Sequence, residues 1–190
     1  VNKMRSDTER TVRTILEAAE RVLSRNPAAS MEQIAEAAGV ARTTVHRRFA
    51  SRDALVDAMA AWATRRFAEA VDAAYTTTAP PLVTLHQVTA NVLRVKIDWG
   101  YAMSRTASAD AEVARVHAEV RERCDEMFRR ARDAGLLRAD TDLDWARRVY
   151  YALIHEAAVE PDEGQDDGQD ADALAARLVD TLLHGFGGRG

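Results

Sequence analysis

Apolar side chains recur three and four residues apart along almost the whole of this 190-residue chain, and no stretch shows the period of two that a half-buried strand needs. That regularity restricts the fold to helices packed on helices. Over residues 8–25 the stripe is Val12, Ile15, Leu16, Ala19, Val22 and Leu23, and Asn26-Pro27 ends it, since proline pushes the residue before it out of the helical region. A helix from near Ser51 to about Tyr75 carries Leu55, Met59, Trp62 and Phe67 and is broken by "TTTAPP". Four further amphipathic stretches follow, at 82–100, 110–134, 142–158 and 171–186. No span reaches the ~18–20 uninterrupted apolar residues of a membrane crossing.

Charge is unevenly distributed. Residues 1–52 carry ten Lys/Arg against six Asp/Glu, a net +4, while residues 53–190 carry a net −8. A basic head on an acidic body suits a partner that is a polyanion, although surface variation alone also produces such asymmetry. The single cysteine, Cys124, cannot form an internal disulfide, and "VNKMRSDTER" has no apolar signal region, so a cytoplasmic location is expected. The acidic segment at 160–173 lacks large apolar groups and the spaced ligands of a calcium loop, and is expected to be a mobile surface loop.

Between the first helix and Ser51 lies "SMEQIAEAAGVARTTVHRRFA". Ser30 followed three residues later by Gln33 matches a capping box, and Met31, Ile34, Ala35 and Ala38 form the buried side of the helix it opens. Gly39 ends that helix at a turn that calls for a positive φ. A third helix runs from Arg42 to Arg48. Ala35, Gly39 and Val45 then supply the small contact residue, the turn glycine and the inward apolar residue of a helix-turn-helix. Its second helix presents Arg42, Thr43, Thr44, His46, Arg47 and Arg48, groups able to bond base edges and phosphates. By itself this pattern also fits a helical hairpin whose arginines are merely solvated.

The segments "ILEAAERVLSRNP", "SMEQIAEAAGVARTTVHRRF" and "SRDALVDAM", in this order and spacing, resemble the DNA-binding domain of the TetR family of bacterial transcriptional regulators. The resemblance implies an all-α chain: an N-terminal three-helix helix-turn-helix domain over 1–52, joined by a long helix to a C-terminal helical ligand-binding and dimerisation domain over 53–190. It implies DNA contact by Arg42, Thr43, Thr44, His46, Arg47, Arg48 and Arg52, with Ser30 capping its helix beside the phosphate backbone. Tyrosine is usual in the family where this chain has His46, and lysine where it has Arg52. Arg52 keeps the charge, whereas an imidazole titrates near neutral pH and makes pH-sensitive operator binding an expectation.

For the second domain the resemblance implies a pocket for a small-molecule effector that loosens the grip on a palindromic operator, and pairing of the last two helices across a homodimer. His86, Trp99, His117 and Tyr151 are the pocket candidates, set among aromatic residues that suit a largely apolar ligand. Tyr150, Leu153, Leu174, Leu178, Leu182 and Phe186 are the seam candidates, although a face buried within one chain has the same pattern. No cofactor, metal or membrane partner is expected, nor catalysis, because no nucleophile motif, phosphate-cradling glycine loop or metal-spaced His/Cys cluster is present. The alternative is a dimeric helical protein that binds small molecules or partners without DNA.

Overall fold

The computed structural model describes residues 2–75, 78–105, 111–159 and 170–185, with side chains from residue 7 onward other than that of Glu112. Every regular element among them is helical: α1 (Asn2–Arg25), α2 (Met31–Ala37), α3 (Arg42–Arg48), α4 (Arg52–Ala74), α5 (Pro81–Asp98), α6 (Gly100–Ser104), α7 (Ala111–Asp133), α8 (Leu143–Ala157) and α9 (Ala171–His184). None of the helices is long and apolar enough to cross a membrane. Two compact units form, Val1–Thr64 with Trp99–Ala109, and Arg65–Asp98 with Asp110–Gly190. The division falls inside α4, later than the boundary expected at residue 52, and α6 belongs to the first unit.

In the first unit, Ile15, Leu16, Ala19 and Leu23 of α1 form a core with Ile34 and Ala35 of α2, Val45 of α3, and Leu55 and Met59 of α4. Each large aliphatic side chain so buried contributes roughly 1.5–3 kcal/mol. Helix α1 begins earlier than residue 8, because its first turns are polar and carry no apolar period; Thr11 Oγ1 donates to the Asp7 carbonyl at 2.8 Å along them. Beyond α1, the Ala28 N–H donates to Asn26 Oδ1 at 3.1 Å, a side-chain turn that leads into α2. Helix α6 departs from the sequence expectation: Trp99, at φ −130 and ψ 35, breaks the helix expected to continue through residue 100.

The second unit packs α5 against α7, α8 and α9. Its core joins Leu85, Val88 and Leu93 of α5, Val120, Met127 and Phe128 of α7, Tyr150 and Ile154 of α8, and Leu178 and Val179 of α9. Phe128 and Tyr150 meet edge to face with centroids 5.5 Å apart, and the Tyr150 hydroxyl shares a 2.9 Å hydrogen bond with Thr89 Oγ1. Pro81 opens α5, where a missing N–H costs nothing, and Asp142 caps α8 by accepting from the Asp144 and Trp145 N–H groups. Asp170 caps α9 in the same way, so that helix starts at Ala171, inside the segment expected to be a loop; residues 160–169 lie outside the described residues.

Candidate nucleic-acid interface

The turn between α2 and α3 is built by hydrogen bonds that only a left-handed residue permits. Gly39 has φ +64, its N–H donates to the Glu36 carbonyl at 3.0 Å, and the Val40 N–H donates to the Ala35 carbonyl at 3.1 Å. At the other end of α2 the Ser30 hydroxyl accepts from the Gln33 N–H at 3.3 Å, and Gln33 Oε1 accepts from the Ser30 N–H at 2.8 Å. The capping box read from the sequence is therefore closed in both directions. Both ends of α2 being fixed, Val45 packs inward at 0% exposure and Phe49 closes the far end of α3.

With one side of α3 buried, helical rotation decides what the rest presents. Arg42, Thr43, His46 and Arg47 share an exposed arc, Thr44 is half-buried, and Arg48, on the return side, donates to Thr8 Oγ1 of α1 at 3.2 Å. Arg42 Nε pairs with Glu32 Oε1 of α2 at 2.7 Å and lies 3.4 Å from His46 Nε2. The Glu32 carboxyl is held below the usual carboxylate range by hydrogen bonds from its own backbone N–H and from the Ser30 hydroxyl, with Arg42 adding to them. Arg47 is exposed and has no partner among the described residues. These partners sit in water, so a phosphate can replace them at small cost.

Arg52 and Ser30 occupy a different setting. Arg52 is half-buried and donates from Nε to the Ala29 carbonyl at 3.4 Å and from Nη2 to the Pro27 carbonyl, tying the turn between α1 and α2 to the start of α4. The Ser30 hydroxyl is engaged by Gln33 and Glu32. Both side chains thus have local structural tasks, which their family positions alone do not reveal.

The pocket candidates divide between the units. His86 on α5 and Tyr151 on α8 are half-buried in the second unit, and His117 on α7 is exposed to solvent. Trp99 belongs to the first unit, buried with its ring 6.4 Å from that of Trp62. Tyr151 lies under the Arg147 guanidinium at 5.6 Å and bonds to the Cys124 thiol, whose pKa burial pushes up. Burial also raises the Tyr150 and Tyr151 phenols above the ordinary tyrosine range. Cys124 is a core residue, as its apolar register implied.

The seam candidates turn inward. Tyr150 is 1% exposed and Leu178 is 5% exposed, both enclosed by their own chain, while Leu153, Leu174 and Leu182 pack half-buried against the same core. A residue so enclosed has no surface to offer a partner. Phe186 lies outside the described residues. The outward side of α8 carries Trp145, at 58% exposure, with Arg148 stacked on its ring at 5.0 Å, then Ala152 and His155. Sequence spacing located the stripe of large residues but could not say that the intrachain core claims it. Among the described residues no group of three His, Cys, Asp or Glu side chains could hold a metal ion.

Residues 15–59 match the family of bacterial regulatory proteins, tetR family. Across its length the chain is 32% identical over 180 residues to the HTH-type transcriptional repressor LfrR of Mycolicibacterium smegmatis, covering 92% of both proteins. The chain belongs to the TetR family. The crystal structure of LfrR from Mycobacterium smegmatis in complex with proflavine superposes with a TM-score of 0.72 at 30% identity, covering 95% of this chain and 99% of that one. PfmR of Thermus thermophilus shares the fold at 18% identity, with a TM-score of 0.74 over 91% of this chain and 98% of its own. This TetR-family protein is a ligand-responsive DNA-binding transcriptional regulator, and the relatives found are regulators.

Proposed function

We propose that this TetR-family regulator is a repressor that binds a palindromic operator as a homodimer through the exposed arc of α3 and leaves it when a small, largely apolar aromatic molecule occupies the second unit. The observation that carries the DNA reading is the division of α3: Val45 and Phe49 inward, Thr43, His46 and Arg47 outward, with Arg47 unpaired among the described residues. Arg47 offers an unpaired guanidinium to phosphate, threonine methyls meet thymine, and Arg42 exchanges Glu32 for phosphate. Arg48 supports this surface by holding α3 to α1, and Arg52 by holding the start of α4 to the turn between α1 and α2, with any phosphate contact secondary to that.

Two copies of α3 read half-sites about one helical turn apart, ~34–36 Å, so the dimer is part of the reading. The outward side of α8, with Trp145, Arg148, Ala152 and His155, together with Ala173, Ala176 and Asp180 exposed on α9, replaces the inward leucines as the proposed seam. For the effector, the support is the proflavine held by LfrR, a relative that matches this chain over both units. A planar aromatic molecule suits a unit whose interior carries Phe128, Tyr150 and Tyr151.

Selection of bound sequences from random duplex DNA tests the reading. A palindromic consensus bound by a dimer is the expected result, and failure to retain any duplex would reject it. Proflavine binding, followed by its fluorescence without DNA, tests the effector class. Equal affinities of wild type and His46→Tyr at pH 6 and pH 8 would show that His46 confers no pH sensitivity.

A further inference from the structure

Among the described residues, every buried or half-buried Asp, Glu, Arg or Lys side chain has a polar partner except Lys96. Glu20 on the buried side of α1 accepts the Tyr101 N–H at 2.7 Å on Oε1 and the Ala102 N–H at 3.0 Å on Oε2, and so caps α6. Arg147, buried on α8, reaches the carboxylates of Asp125 and Asp144. Lys96, half-buried on α5, has no hydrogen bond or ion pair. Helical rotation places it on the line of Leu85, Thr89 and Val92, all buried and spaced three or four residues apart. On one side of that line Asn91 donates to the Ala70 carbonyl of α4 at 3.1 Å, and on the other Arg94 pairs with Asp172 of α9. On the line itself Thr89 bonds to the Tyr150 hydroxyl of α8. Lys96 therefore continues the side of α5 that meets the aromatic interior, about 10 Å along the helix from Thr89.

An ammonium drawn partly out of water with no opposing charge is costly, and an apolar side chain would extend the stripe without that cost. Burial pushes the Lys96 pKa below the ordinary lysine value, and no neighbouring carboxylate opposes it. The same cost is offset when an anion arrives to pair with the ammonium. We propose that Lys96 is the anion-recognising residue of the second unit, and that the effector is a small aromatic acid whose rings lie toward Tyr150 and Tyr151 and whose carboxylate pairs with the Lys96 ammonium. The spacing between Thr89 and Lys96 suits a two-ring acid. A neutral isostere leaves the ammonium unpaired and a cation is repelled by it, so Lys96 selects by charge within the aromatic class. The assignment rests on the effector reading above and narrows it.

The test is calorimetric titration of the full chain with 2-naphthoate and with its neutral isostere 2-naphthamide. Wild type should bind the acid on the order of tenfold tighter than the amide. Lys96→Met and Lys96→Gln should bind the two alike, and Lys96→Arg should keep the preference. Proflavine, a cation at neutral pH, should bind Lys96→Met at least as tightly as wild type, which reports that the variant keeps a folded site. Equal wild-type affinities for acid and amide, no binding of the acid, or a preference for the acid that survives in both Lys96→Met and Lys96→Gln overturns the assignment. Binding of the acid that depends on Lys96 but leaves affinity for the selected duplex unchanged supports the anion site and overturns release by the effector, so the two readings fail separately.

Discussion

The polar side chains around α3 and those in the core of the second unit are partnered differently. In the first, Arg42 pairs with the exposed Glu32 and Arg48 with the half-buried Thr8, while Arg52 is held by the carbonyls of Pro27 and the buried Ala29. In the second, polar groups pair inside. Tyr150 bonds to Thr89, Tyr151 to Cys124, and the buried Arg147 guanidinium reaches the more exposed carboxylates of Asp125 on α7 and of Asp144 on its own helix. Partners that face water exchange readily for those of a polyanion, whereas internal networks fix one packing. The head is thus built to trade contacts with DNA, and the second unit to hold a defined interior.

Perturbations ranked by size sharpen that contrast. Phe128→Ala should cost about 3–5 kcal/mol by urea denaturation, because it empties a core position beside Tyr150. A loss under about 1 kcal/mol would mean the second unit does not depend on its aromatic interior. Gly39→Val should cost roughly 1–2 kcal/mol, confined to the head, since φ +64 is strained for any side chain although nothing lies within 4 Å of the added Cβ. Ser30→Ala and Tyr150→Phe, one in each unit, should each lose about 1 kcal/mol, the first as a helix cap and the second as a buried hydrogen bond. A near-zero effect for either would show that its unit does not rely on that bond.

The smallest expected effect is a pH dependence in the head. Burial sets the Glu20 pKa above its unfolded value, so the ionised form is disfavoured in the fold. The resulting cost is present above the folded pKa and is relieved as pH falls through it. In thermal melts from pH 7 toward pH 4, wild type should therefore gain stability relative to Glu20→Gln. A relative loss would show that the Tyr101 and Ala102 bonds outweigh burial.

Much of the head was legible in the sequence because its chemistry is local. Ser30 and Gln33 close their box within four residues, Gly39 takes the left-handed turn, and α3 occupies Arg42–Arg48 as read. What the sequence withheld was long-range. The role of Arg52 as a tie to Pro27 and Ala29, and that of Glu20 as the cap of α6, depend on residues far along the chain meeting in space. In the second unit the same limit fell on the sites. Apolar spacing marked Tyr150 and Leu178 but gave no sign that they face their own core, and Trp145, exposed on α8, shares the stretch with them. Trp99 reads as a pocket candidate because it belongs to the set of large aromatic side chains after residue 82; it packs beside Trp62 in the first unit.

The salt dependence of duplex affinity tests most directly whether α3 is the DNA-reading surface. Affinity for the selected duplex should fall steeply with salt on a log-log plot, and Arg47→Ala should flatten the slope by about 0.9 for the phosphate contact it loses. Arg129→Ala, which removes an exposed cation paired with Glu126 in the second unit, should leave the slope unchanged. A wild-type slope near zero, or equal slopes for wild type and Arg47→Ala with a flattened slope for Arg129→Ala, would contradict the assignment of DNA binding to α3.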